Sequence, residues 1–231
     1  MVLDLAAYRD GMAECCRGGP CEQVFGTASA QRELRRYHKR GLSGLERRLV
    51  EAARRDGLAG ARVLEIGGGI GVLQAELLLA GAASGEVIEL VPAYAPYARE
   101  LARTAGLDDR TTFRVADLLD HPEQAAGAEV VLLNRVVCCS PDGLELTALA
   151  ASLTRGTLIV SFPRDLTWIR LGSRLQNAFL RLRGVAYRSF VRPAGDIVNA
   201  ATSTGLRVVE RGRTRGWEFI ALRADEAPDV A

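Results

Sequence analysis

The stretch VLEIGGGIG, from Val63 to Gly71, decides the fold of this chain. It begins as a short apolar run typical of a buried strand, and the helical pattern VLQAELLLAG follows its last glycine. A glycine-rich turn between a first strand and a helix lets the backbone approach a nucleotide-like cofactor, and the start of the helix offers free N–H groups. The alternative is a tight strand-to-helix turn that binds nothing. The residues after this stretch help to decide between a cofactor-binding turn and a turn that binds nothing.

Strand and helix patterns alternate after this unit. The further strand patterns are GEVIEL, TTFRV, EVVLLNRVV and GTLIVSF, with helical patterns between most of them. Such alternation predicts βαβ units, and therefore a largely parallel sheet with helices on both faces. The fourth strand is predicted from Val130 to Val137, and LRVVERGRTRGWEFIALRA is predicted to form a final hairpin that turns near Arg213 to Gly216.

Three further segments have helical patterns. Residues 29–57 carry apolar side chains at helical spacing, with arginines between them, and PAGDIVNAATSTG is a second helix. The third, LTWIRLGSRLQNAFLRLRG, is amphipathic; we expect it to help wall an acceptor pocket, with a sheet-covering helix or a membrane-surface helix as alternatives. The chain thus divides into an N-terminal helical, cysteine-containing extension that caps the active site (1–57), a main domain (58–223) and a flexible tail (224–231).

Composition narrows the class of protein. The 231 residues carry a net charge of +2, which is no electrostatic footprint for nucleic acid. The N-terminus has acids where a signal peptide needs bases, and no apolar run approaches the ~18 residues that span a membrane. We therefore expect a cytoplasmic protein with no integral membrane segment and a small-molecule substrate. The oligomeric state stays open.

Two acidic residues follow predicted strands. Glu89 comes 22 positions after Gly67 (89 − 67), close to the spacing of about 20 for an acid that binds ribose hydroxyls. Asp117 follows the third strand in VADLL, where its carboxylate could accept a hydrogen bond from an adenine amino group, with the neighbouring Leu118 lending its backbone N–H. The alternatives are a solvated strand end for Glu89 and a helix N-cap for Asp117.

Together these motifs resemble the class I S-adenosylmethionine-dependent methyltransferases. EIGGGIG looks like their glycine-rich motif, IELVPAY their ribose-binding motif, VADLL their adenine-binding acid and EVVLLNRVV their fourth strand. The resemblance implies a Rossmann-like, mostly parallel seven-stranded sheet with an antiparallel last strand, and S-adenosyl-L-methionine as cofactor. The loop lacks the third glycine of G-x-G-x-x-G, because Val72 stands there, which separates it from nicotinamide dehydrogenases.

The resemblance also implies roles for individual residues. A motif in RRYHKRG would cover the cofactor, with Tyr37 or Arg36 near its carboxylate; a solvated basic helix face is the alternative. Arg135 would lie beside the methionine moiety. The residues that the resemblance predicts to bind the cofactor are Glu65, Gly67, Gly69, Gly71, Glu89, Leu90, Asp117, Leu118, Asn134 and Tyr37.

The catalytic residues are not determined by these motifs. His38 is a candidate base on pKa grounds, with a surface histidine as alternative, and His121 is expected in a loop. Cys138 and Cys139 end the predicted fourth strand, where ligands bind in open α/β sheets. Because side chains alternate along a strand, at most one of these thiols is expected to face the pocket. Packing as small hydrophobes is the alternative.

The remaining cysteines, Cys15, Cys16 and Cys21, lie in CCRGGPC, which has no standard zinc spacing. An odd total of five argues for free thiols in a reducing compartment. If the N-terminal segment covers the site, both cysteine groups converge there and suit a soft metal or metalloid. We predict a methyltransferase for a small-molecule acceptor. The alternatives are a cysteine-rich metal- or metalloid-handling methyltransferase, a metal sensor on the same fold, and a cofactor-binding protein without methyl transfer.

Overall fold

Three helices precede the sheet. The computed structural model describes residues 19–224, with side chains described from Glu22 onward. The helices are α1 (Gly19–Phe25), α2 (Thr27–Arg40) and α3 (Gly44–Ala53). The single helical run predicted over residues 29–57 is therefore wrong: the chain breaks at Gly41, at φ +63°, and restarts at Ser43. Ser43 forms a capping box with Glu46, which supplies partners for N–H groups that a new helix leaves free.

The remaining chain alternates strands and helices as the sequence predicts. The strands are β1 (Arg62–Ile66), β2 (Ser84–Glu89), β3 (Thr111–Val115), β4 (Ala128–Asn134), β5 (Thr154–Pro163), β6 (Leu206–Arg213) and β7 (Trp217–Ala224). The helices are α4 (Val72–Leu79), α5 (Ala95–Ala105), α6 (Gly143–Ser152), α7 (Thr167–Leu182) and α8 (Ala194–Thr202). Short 3₁₀ turns lie at Pro92–Tyr94, Asp108–Arg110 and Pro122–Gln124.

The strands form one seven-stranded sheet in the order β3-β2-β1-β4-β5-β7-β6. Strands β1 to β5 are mutually parallel, and β7 runs antiparallel to both β5 and β6. The fold class predicted from the sequence is thus confirmed, including the reversed strand and the hairpin between Arg213 and Trp217. Because the order reverses between β1 and β4, the carboxyl ends of these strands open a crevice, which is where ligands bind in such sheets.

The sheet is buried on both faces. Successive β1 residues show this directly: Val63 packs with α2 to α5 on one face, while Leu64 packs with α6 and α8 on the other. Both are fully buried, as the continuous apolar strand pattern predicts. The hydrophobic clusters on the two faces hold the strands in place and so fix where their carboxyl ends lie.

Strand β4 ends earlier than the sequence predicts. It stops at Asn134, because Arg135 adopts φ +63°, which takes the chain out of the extended conformation. The Arg135 N–H still donates to β5, to both the carbonyl oxygen (3.3 Å) and the Oγ (3.0 Å) of Ser161. The chain then turns, with the Cys139 N–H donating to Val136 O (2.8 Å). Cys138 and Cys139 therefore lie in a turn after the strand, and the argument from strand alternation does not apply to them.

Between residues 19 and 224, none of the helices combines the length and the apolar character needed to cross a bilayer. The predicted tail begins at residue 224, but Ala224 is the last residue of β7, and residues 225–231 lie outside the described chain.

The capping box at Ser43 makes a prediction about stability. Ser43→Ala removes the hydroxyl that accepts the Glu46 N–H, so we expect the free energy of unfolding to fall by about 1 kcal/mol in denaturant titrations. The matched control is Ser152→Ala, whose exposed hydroxyl contacts only the Leu149 carbonyl of its own helix and should change stability by less than about 0.5 kcal/mol. Equal effects of the two substitutions would contradict the capping role.

Candidate cofactor and active site

A cavity of about 420 Å³ opens at the carboxyl ends of β1, β2 and β4. Its floor is the glycine turn after β1, and its sides come from the ends of β2, β3 and β4. The helices before the sheet close it from above, through Phe25 of α1, Glu33 and Arg36 of α2 and Glu46 of α3. Segments from distant parts of the sequence meet here because parallel strands end at a common edge.

The glycine turn tolerates no side chain at the cavity. Gly67 and Gly69 have φ of +64° and +58°, in the left-handed region that favours glycine. A Cβ on Gly67 would lie 2.7 Å from Val136 Cγ2, and one on Gly69 would lie 2.9 Å from Glu33 Oε2. Both glycines line the cavity. The turn therefore presents bare backbone to whatever occupies the space.

Glu89 stands at the end of β2 and faces this turn. One carboxylate oxygen accepts the Gly69 N–H (2.9 Å), and the other accepts the Val91 N–H (3.0 Å). Burial raises the pKa of Glu89, and the backbone N–H groups oppose that rise. Each oxygen keeps a second lone pair. A buried carboxylate held by two backbone donors is a rigid acceptor for a pair of hydroxyls.

The β3 and β2 ends form the neighbouring wall. Asp117 and Leu118 line the cavity, as does Leu90. One Asp117 oxygen accepts the Leu119 N–H two residues on (3.0 Å), so the carboxylate shapes its own turn. The alternative of a helix N-cap for Asp117 is wrong, because the residues after it form a turn and no helix begins there.

Asn134 and Arg135 line the wall at the end of β4. Ser161 Oγ donates to Asn134 Oδ1 (2.7 Å), which fixes the amide and leaves its NH₂ group to donate elsewhere. The Arg135 guanidinium lies over the Trp217 ring, 5.0 Å from its centroid. Arg135 Nε is buried and has no hydrogen-bond partner among the described residues. A buried donor without a partner costs stability unless a ligand accepts from it.

An acidic cluster that the sequence pattern did not reveal lines the cavity: Glu33, Glu46 and Glu89. Glu33 lies in an arginine-rich helix, where a solvated face is the ordinary expectation. Burial raises its pKa to about 7, reinforced by Glu46 and Glu89 and opposed by Arg36 and Arg135. Glu46 pairs with Arg36 (3.0 Å) while it also caps α3. Glu33 and Arg36 are three residues apart, so both side chains lie on one face of α2. That spacing is the sequence feature that could have placed them together.

Three residues predicted to bind the cofactor are not part of the cavity wall in the described chain. Glu65 lies behind the glycine turn, where its carboxylate accepts the Gln74 N–H (3.0 Å) at the start of α4. Burial raises the pKa of Glu65 to about 8. Gly71 ends the turn, and the Tyr37 hydroxyl donates to Glu76 Oε1 (2.7 Å). These residues support the turn and α2, and direct cofactor contact by them stays a prediction.

Neither histidine lines the cavity. His38 is exposed on α2, and His121 is exposed beside Glu123 in the connection after β3. The contact of His38 with an acceptor therefore stays a prediction, and no wall of this cavity supports it.

The side chains of Cys138 and Cys139 both point towards the Arg135 carbonyl oxygen. Both sulfurs lie near the Arg135 carbonyl oxygen, at 3.3 Å for Cys138 and 3.2 Å for Cys139, and they are 3.7 Å apart. Cys138 is buried, and of the two only Cys139 lines the cavity. The Tyr187 hydroxyl donates to Cys139 Sγ (3.3 Å). The hydrogen bond with Cys138, and then that from Tyr187, lower the pKa of the Cys139 thiol, and burial opposes them.

The structure does not describe the side chains of the N-terminal cysteines. Cys15 and Cys16 lie outside the described residues, and the side chain of Cys21 does as well. Among the side chains that the structure describes, no group of three or more histidine, cysteine or acidic residues is placed to hold a metal ion. Convergence of the two cysteine groups stays a prediction.

The expectation that α7 helps to wall the acceptor pocket is wrong for this cavity. The large apolar side chains of α7, among them Trp168 and Phe179, are exposed. In the described chain the cavity takes no lining residue from α7; its aromatic contacts come from Phe25 and Tyr94.

Comparisons with known proteins address the fold. No protein-family model matches the chain, and no curated protein matches its sequence. Solved structures do. Magnesium protoporphyrin IX methyltransferase (ChlM) from Synechocystis PCC 6803 with bound SAH has a TM-score of 0.69 at 16% identity, over 89% of this chain and 98% of that one.

Two others show how varied the chemistry on this fold is. N-methyltransferase NodS from Bradyrhizobium japonicum WM9, in complex with S-adenosyl-L-homocysteine, has a TM-score of 0.59 at 18% identity, over 87% of this chain and 98% of its own. The [4+2]-cyclase SpnF has a TM-score of 0.61 at 14% identity, over 78% and 81%. The chain adopts the fold of the class I S-adenosylmethionine-dependent methyltransferases.

Proposed function

We propose that the chain is an S-adenosyl-L-methionine-dependent methyltransferase that acts on a small-molecule acceptor. The observation that carries the proposal is the buried Glu89 carboxylate, held by the Gly69 and Val91 N–H groups across a glycine turn that has no room for a side chain. The methyltransferases with this fold named above, ChlM and NodS, were solved with SAH. SpnF has a similar fold and is a [4+2]-cyclase, so the fold alone does not imply methyl transfer.

The residues present fit this cofactor. At Gly67 and Gly69 a Cβ would crowd Val136 and Glu33, which line the cavity, and Arg135 offers a buried Nε without a partner in the described chain. Glu89 would accept both ribose hydroxyls, which form paired charge-assisted hydrogen bonds with a carboxylate. Asp117 would accept from the adenine amino group, with Leu118 as its apolar neighbour. Asn134 and Arg135 would donate to the methionine end.

When bound, S-adenosylmethionine supplies an electrophilic methyl group. The protein contributes position above all, because displacement at a sulfonium needs the acceptor in line with the breaking bond. The strand ends and the part-buried pairs Asn134–Ser161 and Arg36–Glu46 fix the walls. The helices before β1, within the predicted extension 1–57, would cover the cavity and exclude water.

For a hydroxyl or amine acceptor a proton must also leave. We assign its uptake to Glu33, because this carboxyl lines the cavity and has a pKa of about 7, so that it changes charge near neutral pH. Cys139 is the second candidate, since its lowered pKa favours the thiolate. His38 lacks the position for this role.

The class of acceptor follows from the size and charge of the site. A cavity of about 420 Å³ shared by cofactor and acceptor suits a small molecule, and a net charge of +2 gives no support for nucleic acid. The metal- or metalloid-handling alternative rests on two sulfurs 3.7 Å apart and stays a prediction, as does a cytoplasmic location.

Glu89→Gln tests the cofactor site. The amide keeps one acceptor oxygen and loses the charge, so we expect the Kd for S-adenosylhomocysteine to rise about 10- to 100-fold in calorimetry. The matched control is Glu86→Gln, three residues earlier on β2, where the carboxylate pairs with Arg62 and Arg114 away from the cavity. That variant should lose stability and keep its affinity. Unchanged affinity in Glu89→Gln would refute the ribose assignment, and no binding by the wild type would refute the proposal.

Glu33→Gln tests the buried acid. Because folding raises the pKa of Glu33 from 4.5 to about 7, the folded chain holds a proton that the unfolded chain loses above pH 4.5. The stability from this group is complete below pH 4.5 and is lost as the pH rises through 7. We expect the free energy of unfolding to fall less steeply between pH 5 and 7 in Glu33→Gln, by up to about 1.4 kcal/mol per pH unit.

The control for this experiment is Glu51→Gln on the exposed face of α3, which should reproduce the wild-type slope. Identical slopes for Glu33→Gln and the wild type would show that Glu33 does not ionise near neutrality, and would remove it as the proton acceptor.

A further inference from the structure

Helix α7 has its apolar side outward. Five large apolar side chains recur at steps of three or four residues along it: Trp168, Leu171, Leu175, Phe179 and Leu182. They are 54–87% exposed, and they are five of the seven large apolar side chains that are exposed in the described chain. Such spacing places them in one stripe along the helix. Scattered exposed apolar residues need no explanation, but a continuous stripe marks an interaction surface.

The opposite side of α7 holds it to the protein through polar contacts. Asn177 Nδ2 donates to the Ser189 carbonyl oxygen (2.8 Å), and Ser173 Oγ donates to the same oxygen (3.1 Å). Ser173 and Asn177 are half-buried, together with Ile169 and Leu180 of the same side. A surface helix of a globular protein ordinarily turns its apolar stripe to the core. Here the hydrogen bonds fix the reverse orientation.

Arginines flank the apolar stripe. Between residues 165 and 183 the chain carries four arginines and one acid, Asp165, which pairs with Arg170 (2.6 Å). Arg183 lies over the Phe179 ring, 4.8 Å from its centroid. Arg174 and Arg181 are exposed, and neither forms an ion pair with a carboxylate in residues 22–224. The surface around the stripe is thus positively charged.

We propose that α7 is a docking helix for the surface of an anionic lipid bilayer. A helix with tryptophan, leucine and phenylalanine on one face and arginines beside it lies in the plane of the headgroup boundary, where the apolar stripe enters the acyl region and the arginines meet anionic headgroups. A nucleic acid would bind the arginines through its phosphates but would leave the apolar stripe exposed to water. A second copy of the chain would bring the same arginines together, against their mutual repulsion.

The docking surface lies beyond the proposed methyl transfer and does not depend on it. It does have a physical link to the cavity. Segment 185–190, which holds α7 through Ser189, also places Tyr187 on Cys139 and donates the Phe190 N–H to the Cys138 carbonyl (2.8 Å). A helix bound to lipid would therefore set the cysteine wall of the cavity near the bilayer.

Vesicle flotation with the full chain tests the proposal. We expect binding to phosphatidylcholine vesicles that contain 30% phosphatidylglycerol, and at least ten-fold weaker binding to pure phosphatidylcholine. The triple variant Leu171→Ser, Leu175→Ser, Phe179→Ser should lose binding at least ten-fold while its circular dichroism and S-adenosylhomocysteine affinity stay those of the wild type. The matched control, Leu79→Ser with Val115→Ser, changes exposed apolar residues elsewhere and should bind as the wild type does.

A second variant tests the charge without touching the apolar stripe. Arg174→Gln with Arg181→Gln should weaken binding to the anionic vesicles on the order of 10- to 30-fold, because each arginine contributes about five-fold near an anionic surface. Arg99→Gln with Arg103→Gln on α5 is its control and should have no effect. Wild type that fails to bind anionic vesicles overturns the proposal, as does a triple variant that binds unchanged. Light scattering that shows a dimer broken by the triple variant, without lipid binding, would assign the face to self-association instead.

Discussion

The hydrogen bond from the Gly69 N–H to the Glu89 carboxylate is the interaction on which the site depends. It joins the turn after β1 to the end of β2, two segments that the parallel sheet already brings to one edge. The turn takes this course because Gly67 and Gly69 adopt positive φ, a conformation that favours glycine. The buried carboxylate in turn needs the backbone donors, since burial alone favours its neutral form. The loop and the acid therefore stabilise each other before any ligand arrives.

The strand pattern was predictable because a sheet buried on both faces requires continuous apolar runs. Val63 and Leu64, for example, pack into the hydrophobic clusters on opposite faces of the sheet. The end of β4 was not predictable. Val136 and Val137 continue the apolar pattern, and it is the positive φ of Arg135 that takes the chain out of the sheet. The apolar pattern carries no signal for that backbone conformation.

The same limit applies to the candidate site. Glu89, Asp117 and Asn134 were predictable because each lies at or just after the end of a strand, and strand ends share an edge. Glu33 was not, since its raised pKa comes from its burial near the glycine turn and from the charge of Glu89, which its own helix does not reveal. For α7 the periodicity gave an amphipathic helix, but the side that faces the protein depends on Ser189, seven residues beyond its last turn.

The T-shaped contact of Phe25 with Tyr187, 5.2 Å between ring centroids, has a consequence for how this protein can change. It ties the start of the described chain to the segment after α7, on the side of the cavity where Cys139 lies. None of these three residues belongs to a strand, whereas the glycine turn and Glu89 are fixed by the sheet. Substitutions in α1 or in segment 185–190 can thus change the cavity wall near Cys139 while the wall formed by the glycine turn and Glu89 keeps its shape. The shape of the cavity can in this way change without rebuilding the core.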